Sequence, residues 1–276
     1  MNNKLGEVKL KLYTVKPDFL ALCETWITNK KFEPKFHGYT AVWHHREHMQ
    51  GGGLGIIIKK GIQYKTIPII PYAGGVLEVQ AMEIYLKNQF KLSLLNIYNP
   101  NKNITAEELV HFIDQLGENY LIVGDFNAHS RVISNRCTRP NPSGRAIEQL
   151  IMNHNLVLVN PLDFYSHINS HTGQLSSLDL IFSSPYISSD VSISQLDDIG
   201  SDHLPIEVVL NREPEFYETL VRPKFKFTKE NLSEFASNIP DTCLIQPQEI
   251  DTIAEDFVNR LNHSAMQHIN LSLIHI

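Results

Sequence analysis

Short apolar, β-branched runs recur along this chain, each bounded by Gly, Pro, Asn or Asp, and they dictate a layered sheet protein rather than a helical bundle. The runs Phe19–Cys23, Gly53–Ile58, Leu77–Leu86, Lys91–Tyr98, Tyr120–Val123, Leu156–Val159, Leu178–Phe182, Val191–Leu196 and Pro205–Leu210 all have strand length. Two of them, either side of Lys-Asn-Gln, predict a hairpin, and Leu121–Val123 is apolar without interruption, as in a strand covered on both faces. Helical patterns lie between the runs. Leu5, Val8 and Leu12 share one face of a helix that ends before Pro17. Thr105 and Glu108 have capping-box spacing for a helix to about Leu116. Ile147, Leu150 and Ile151 give a third amphipathic face after Ser143 and Gly144. Strands dominate with helices between them, which predicts an α/β protein of two packed sheets with helices outside.

A second region begins after Leu210. Residues 1–212 read as one domain, 213–227 as a linker with two prolines, and 228–276 as a helical extension, with helices at Thr228–Phe235 and Ile250–Ile269. The final stretch, Asn270–Ile276, carries no helix-stop signal. The chain is 42% hydrophobic and 20% charged over 276 residues, enough to bury a core without disulfides or structural zinc. Cys23, Cys137 and Cys243 are far apart and odd in number, which argues against a disulfide framework and a cysteine-rich zinc site. Met1–Leu12 alternates charges and lacks the apolar core of a signal peptide, and no stretch reaches the roughly 18 apolar residues of a membrane span. These features predict an intracellular protein with no membrane partner.

The net charge of −6 is unpromising for a nucleic-acid binder, but its distribution matters more than the sum. From His129 to Arg145 the chain carries Arg131, Arg136, Arg139 and Arg145 and no acidic residue. His44, His45, Arg46 and His48 face only Glu47 nearby. Either segment can touch a phosphate backbone or form a solvated loop.

Polar residues stand where the apolar runs end. Phe19 onward finishes on Glu24; Asn96, Tyr98 and Asn99 close the next run; Asp125 and Asn127 close Ile-Val-Gly-Asp-Phe-Asn; Asp202 and His203 precede Pro205; Asp179 lies inside Ser-Leu-Asp-Leu-Ile-Phe. Singly, each has a structural explanation: a satisfied core tyrosine or histidine, an Asx turn, a salt bridge. Together, polar groups that are costly to bury unpartnered are most economically explained by one shared cleft. Hard oxygen donors such as Glu24 suit Mg²⁺, which binds through one or two carboxylates and keeps several waters. Asp202 beside His203 would set a carboxylate on the metal or water and an imidazole on a phosphate. Phosphodiester hydrolysis needs those parts.

These segments, in this order, resemble the endonuclease/exonuclease/phosphatase superfamily. Leu-Cys-Glu-Thr-Trp-Ile, Gly-Gly-Gly-Leu-Gly-Ile, Asn-Ile-Tyr-Asn-Pro, Gly-Asp-Phe-Asn-Ala-His and Ser-Asp-His-Leu-Pro-Ile are most similar to the endonuclease domain of jockey-type non-LTR retrotransposons, over about residues 3–210. The resemblance implies a DNase-like four-layered sandwich of two facing, mostly antiparallel sheets flanked by helices. It implies that Glu24 and Asp202 hold Mg²⁺, or Mn²⁺ in its place. It implies a catalytic set of Tyr98 at the scissile phosphate, Asp125 on the water, Asn127 beside it, and His203 held in its tautomer by Asp179. Asn96, Arg145 and Thr172 are the substrate-binding candidates, and the Ser166–Thr172 segment falls where the family approaches DNA.

The family opens with a strand bearing an Asn, and that first strand is missing here; neither Asn2 nor Asn3 follows an apolar run. A tryptophan often found after Gly-Asp-Phe-Asn-Ala-His is replaced by Arg131-Val132-Ile133. The resemblance implies a metal-dependent DNA endonuclease that nicks target DNA in the nucleus for target-primed reverse transcription, with a reverse transcriptase downstream. The alternatives are a phosphomonoesterase of the same superfamily and an inactive, truncated nucleic-acid-binding fragment.

Overall fold

The computed structural model describes residues 4–27, 33–46, 51–154, 156–198, 200–216, 224–225, 229–237, 258 and 271–272. Two compact units divide the chain, Met1–Tyr217 and Glu218–Ile276. The first contains α1 (Leu5–Thr14), β1 (Phe19–Leu22), β2 (Tyr39–His44), β3 (Leu54–Lys59), β4 (Tyr64–Ile67), β5 (Glu78–Leu86), β6 (Phe90–Tyr98), α2 (Ala106–Ile113) and β7 (Tyr120–Asp125). It continues with α3 (Pro142–Asn153), β8 (Val157–Leu158), β9 (His167–Ile168), β10 (Leu175–Ser176), β11 (Asp179–Ser183), β12 (Val191–Gln195) and β13 (Ile206–Leu210). In the second unit the described elements are the pair β14 (Lys224–Phe225) and β15 (Leu271–Ser272), and α4 (Lys229–Ser237).

Side-chain alternation along the strands builds four layers. A six-stranded sheet runs β4-β5-β6-β7-β11-β8, antiparallel except for the β6–β7 pair. On one face Ala81, Leu95, Ile97, Ile122, Leu180 and Phe182 pack on Leu109 and Phe112 of α2 and Ile147 and Leu150 of α3. Alternate residues point the other way. Met82, Ile84, Leu92, Leu94, Leu121 and Ile181 meet Ile56 and Ile58 of β3, with Ile193, Ile206 and Val208 from the β12–β13 pair. Ile57, one step from both, turns outward to Val8 and Leu12 of α1. Helices, sheet, facing sheets and helix therefore stack as the sequence predicts. The facing layer consists of β1-β3-β2 and, separately, β12-β13, so among the described residues β1 and β13 each pair on one side only. The family's opening strand is not among the described residues, and Asn2 and Asn3 lie outside them.

Three local features differ from the sequence reading. β2 and β4 were not predicted; both are sheet edges with solvent-exposed positions, so no continuous apolar run marks them. The capping box is half made. Thr105 Oγ1 accepts from the Glu108 amide at 3.1 Å, but the Glu108 carboxylate, 2% exposed, reaches away to accept from the Val76 and Leu77 amides at 2.7 and 2.9 Å. It anchors the segment entering β5 to α2. The third helix is capped by Asn141, whose Oδ1 accepts from Gly144 N at 2.7 Å, with Pro142 in the first turn. Gly144 is required there: a Cβ would meet the His129 carbonyl oxygen at 1.9 Å.

The start of the expected linker is tied into the first unit. Lys87 N donates to Glu213 O, Glu215 N to Tyr85 O and Gln63 N to Glu215 O, each at 2.9 Å. The expected helix Ile250–Ile269 lies outside the described residues apart from Val258.

These bonds rank two substitutions. Thr105→Ala removes one cap and lowers stability by about 1 kcal/mol. Glu108→Ala leaves two part-buried amides without an acceptor and costs about 2 kcal/mol. Urea unfolding of both variants measures the difference; equal losses would contradict the anchoring role of Glu108.

Candidate active site

The face of the central sheet that meets β3 changes character toward one end. Moving along it, apolar Met82 and Leu94 give way to Gln80 and Asn96, and then to Glu78, Tyr98, Asp125 and Asp179. Those last four are register partners on adjacent strands: Glu78 opposite Tyr98, Tyr98 opposite Asp125, Asp125 opposite Asp179. Directly opposed residues point to the same side with Cβ atoms about 5 Å apart, so the sheet itself assembles a polar row. Gly124 permits the close β6–β7 approach; it has φ +144°, and a Cβ there would lie 1.9 Å from the Ile97 carbonyl oxygen.

The layer beneath is structural. Gln80 Nε2 donates to Val42 O at 2.9 Å and Asn96 Nδ2 to Leu22 O at 3.1 Å, tying the two sheets together. Asn96 is fully buried, with Oδ1 facing the Cys23 thiol at 3.6 Å. The structure thus places this substrate-binding candidate one row inside the sandwich. Burial pushes the Cys23 thiol well up, and the charges of Asp125, Asp179 and Glu24 add to it.

Glu24 follows β1 and is exposed, held by a turn that borrows its shape from the glycine run. Thr25 N donates to Gly53 O at 3.1 Å and Trp26 N to Gly52 O at 2.9 Å, while Glu24 and Trp26 take left-handed φ values of +53° and +54°. Such a backbone is uncommon for side-chain-bearing residues and persists where the surroundings enforce it. The Glu24 carboxylate accepts from the Tyr98 hydroxyl and from Trp26 Nε1. Desolvation, the bond to Glu24 and its charge push the Tyr98 phenol well above its ordinary value, so it stays a donor. Arg46 lies over the Tyr98 ring, 5.7 Å from its centre, and pairs with Glu78, which also accepts from Gly53 N at 2.6 Å. Glu78 was missed from sequence, because it opens its strand without a motif.

Asp125, 5% exposed, accepts from Asn127 N at 3.0 Å and Asn127 Nδ2 at 3.2 Å. Asn127 has φ +46°, a conformation asparagine tolerates, and also donates to Asn99 O at 2.9 Å. Burial first, then the opposed Asp179 and more weakly Glu24, push the Asp125 carboxyl up to about 7, against the pull of His203 and the Asn127 amide.

Asp179 Oδ2 accepts from His203 Nδ1 at 2.8 Å, which leaves His203 Nε2 without a hydrogen bond among the described residues. Burial alone would lower the imidazole's pKa. The Asp179 bond and the charges of Asp179, Asp125 and Asp202 outweigh it and raise it to about 9. Asp202, with a 61% exposed side chain, points toward His167, whose ring meets His203 edge to face at 4.9 Å between centres. Sequence reasoning missed His167, since nothing near it announces that β9 will bridge His203. Among the described residues, His167, Asp202 and His203 are the one group of three metal-capable side chains whose ligand atoms lie within 4.8 Å of one another. Glu24 keeps different company, with Tyr98 and Trp26.

Arg145 is exposed on the first turns of α3, and Arg131, Arg136 and Arg139 are exposed on the preceding loop. That loop and the β9–β10 hairpin enclose a cavity of about 340 Å³ lined by Arg136, Arg139, His167, Asn169 and Gln174 among others. Thr172 is exposed at the hairpin tip, its hydroxyl accepting from Gln174 N at 3.3 Å.

The opposed aspartates carry a stability signature. Asp125 has a folded-state value above the roughly 3.9 of an unfolded aspartate, so its contribution is fully present below that value and lost as pH rises through about 7. In divalent-free buffer, urea unfolding will show wild type losing stability relative to Asp125→Asn between about pH 4 and pH 7. A pH-independent difference would contradict the buried like-charge pair.

Comparison with known proteins agrees with this architecture. A family described as "Endonuclease-reverse transcriptase" matches residues 92–207. The chain is 22% identical over 273 residues to the probable RNA-directed DNA polymerase from transposon X-element of Drosophila melanogaster, covering 96% of this chain and 29% of that protein. It is 24% identical over 234 residues to the RNA-directed DNA polymerase from mobile element jockey of the same organism, covering 80% and 24%. The chain thus spans under a third of the curated relatives it matches. Among solved structures, the endonuclease domain of TRAS1, a telomere-specific non-LTR retrotransposon, superposes with a TM-score of 0.58 at 15% identity, covering 75% of this chain and 92% of that one. The Xenopus laevis APE2 catalytic domain gives 0.57 at 15% identity, covering 77% and 89%. The chain has the DNase-like fold of the endonuclease/exonuclease/phosphatase proteins, and its sequence is similar to that of the jockey and X-element mobile-element polymerases.

Proposed function

We infer that this chain is the endonuclease portion of a non-LTR retrotransposon polyprotein, nicking target DNA in the nucleus to supply a primer for reverse transcription. In that polyprotein, residues 1–212 are the catalytic domain and 228–276 lead toward the reverse transcriptase. One observation carries the reading. Tyr98, Asp125 and Asp179 lie side by side in register, with Glu24 bonded to the first and His203 to the last.

The donor set fits a hard divalent ion. Glu24 is exposed and offers carboxylate oxygens at the end of the row, the chemistry Mg²⁺ takes from proteins while keeping most of its waters. A bound Mg²⁺ would neutralise charge on the phosphate and act as a Lewis acid there. The chain's own groups do the rest. Asp125, poised near neutrality and aimed by Asn127, accepts a proton from the attacking water. His203, held by Asp179 and protonated at neutral pH, donates from Nε2 to the phosphate oxygens as charge develops. The Tyr98 hydroxyl, kept protonated, is a second donor beside it. The exposed arginines of the 131–145 segment and the hairpin tip at Thr172 supply phosphate contacts along the DNA.

Purified protein with Mg²⁺ should convert supercoiled plasmid to open circles, and chelation should stop it. His203→Ala and Asp125→Ala should each reduce nicking by at least about a hundredfold. Nicking by these variants at the wild-type rate would refute the assignment. Binding should also weaken as salt rises, and charge removal at Arg136 and Arg139 should flatten that dependence by about one unit of slope per lost phosphate contact, measured by fluorescence anisotropy. An unchanged slope would remove those residues from the DNA path.

A further inference from the structure

We propose that His167, Asp202 and His203 form a transition-metal site, distinct in its donors from the carboxylate position at Glu24, and that an ion such as Zn²⁺ bound there blocks His203. The blocking half rests on the endonuclease reading; the binding half does not.

Geometry and outer partners support it together. The three ligand atoms lie within 4.8 Å of one another. In a tetrahedral zinc site, ligands about 2.0–2.1 Å from the ion are about 3.4 Å apart, so closure needs shifts of about 1 Å shared among the three side chains, of which Asp202 is exposed. Both imidazoles are already oriented as metal ligands usually are, each with Nδ1 engaged by an outer partner. His203 Nδ1 is bonded to Asp179 Oδ2 at 2.8 Å and His167 Nδ1 to Ser176 Oγ at 2.9 Å. Both Nε2 atoms therefore remain for a ligand, that of His203 once a bound ion has displaced its proton to solvent, and that of His167 lies 3.9 Å from Asp202 Oδ2.

The backbone holds this arrangement in place. His167 and His203 form a β-bridge, Ile168 N donates to Asp202 O at 2.8 Å, and Leu204 N donates to Ser166 O at 2.7 Å. Two ring nitrogens and one carboxylate favour a borderline ion over Mg²⁺, and the open side at Asp202 leaves a fourth position for water. His203 Nε2 cannot both ligate this ion and donate to a phosphate. The hairpin thus places beside the catalytic histidine a partner that captures it whenever a nitrogen-seeking ion is present.

The test uses the full chain without Mg²⁺ or DNA. Titration with Co²⁺ should develop the visible d–d absorption of a tetrahedral complex, displaced by Zn²⁺. His167→Gln and Asp202→Asn should weaken binding by at least about tenfold, and Ser176→Ala, which removes an outer partner, by about tenfold, with circular dichroism confirming that each variant is folded. Absence of the band in folded wild type, an undiminished band in His167→Gln, or a thiolate charge-transfer band placing the ion on cysteine would each overturn the site. In Mg²⁺-supported nicking, Zn²⁺ should slow wild type at concentrations that leave the His167→Gln rate, relative to its own zinc-free rate, unchanged. Zinc bound without slowing would overturn the blocking role. No nicking under any condition would defeat the endonuclease reading while the cobalt spectrum still decides the site.

Discussion

Two aspartates facing each other across an antiparallel strand pair are the constraint from which the rest of the site follows. Asp125 and Asp179 share one rung of the β7–β11 ladder, where like charges are unfavourable, and Asp125 is nearly sealed from water. The molecule answers that repulsion on both flanks. Asn127 returns two hydrogen bonds to Asp125, and His203 settles on Asp179. Burial first, and then this repulsion, raises Asp125 toward neutrality, while the bond to Asp179 and the surrounding carboxylate charge keep His203 charged against its own burial. A carboxyl near neutrality and a charged imidazole thus stand side by side, a pattern common where environments push neighbouring groups apart.

The wider sandwich positions this pair. Apolar side chains fill the space between sheets until Gln80 and Asn96, which brace the sheets through backbone carbonyls of Val42 and Leu22. Beyond that brace the row of Glu78, Tyr98, Asp125 and Asp179 opens at the edge. Sites built on strands gain precision from the sheet, since register sets every lateral spacing at once. The parts that hang on loops are disciplined in other ways. The glycine run pins Glu24, and the β9–β10 hairpin clasps the Asp202–His203 segment by backbone bonds.

Much of this was legible in the residues. Apolar runs ending on Glu24 and Asp125, and Asp202-His203 standing just before the run from Pro205, marked strand ends facing a common cleft, and strands dominating with helices between them predicted two packed sheets. What the sequence hid depended on register. Asn96 looks like a cleft residue in a linear reading. A side-chain period of two instead places it on the same face as Tyr98 but one row deeper, where it is sealed and structural. Glu78 opens a strand without any motif, and only pairing with β6 brings it opposite Tyr98. His167 acquires its place from a bridge between segments 36 residues apart in sequence, counting from 167 to 203, which no local pattern encodes. Edge strands β2 and β4 escaped notice because half-wet strands lack the apolar signal.

In the proposed nicking chemistry, Asp179 acts through His203, to which it is bonded, rather than on its own. A double-mutant cycle on nicking rate addresses this directly, comparing Asp179→Asn, His203→Gln and the combined variant. If the carboxylate works by orienting and charging the imidazole, the combined variant will be no slower than His203→Gln alone. Losses that multiply, each substitution slowing the reaction independently of the other, would contradict it.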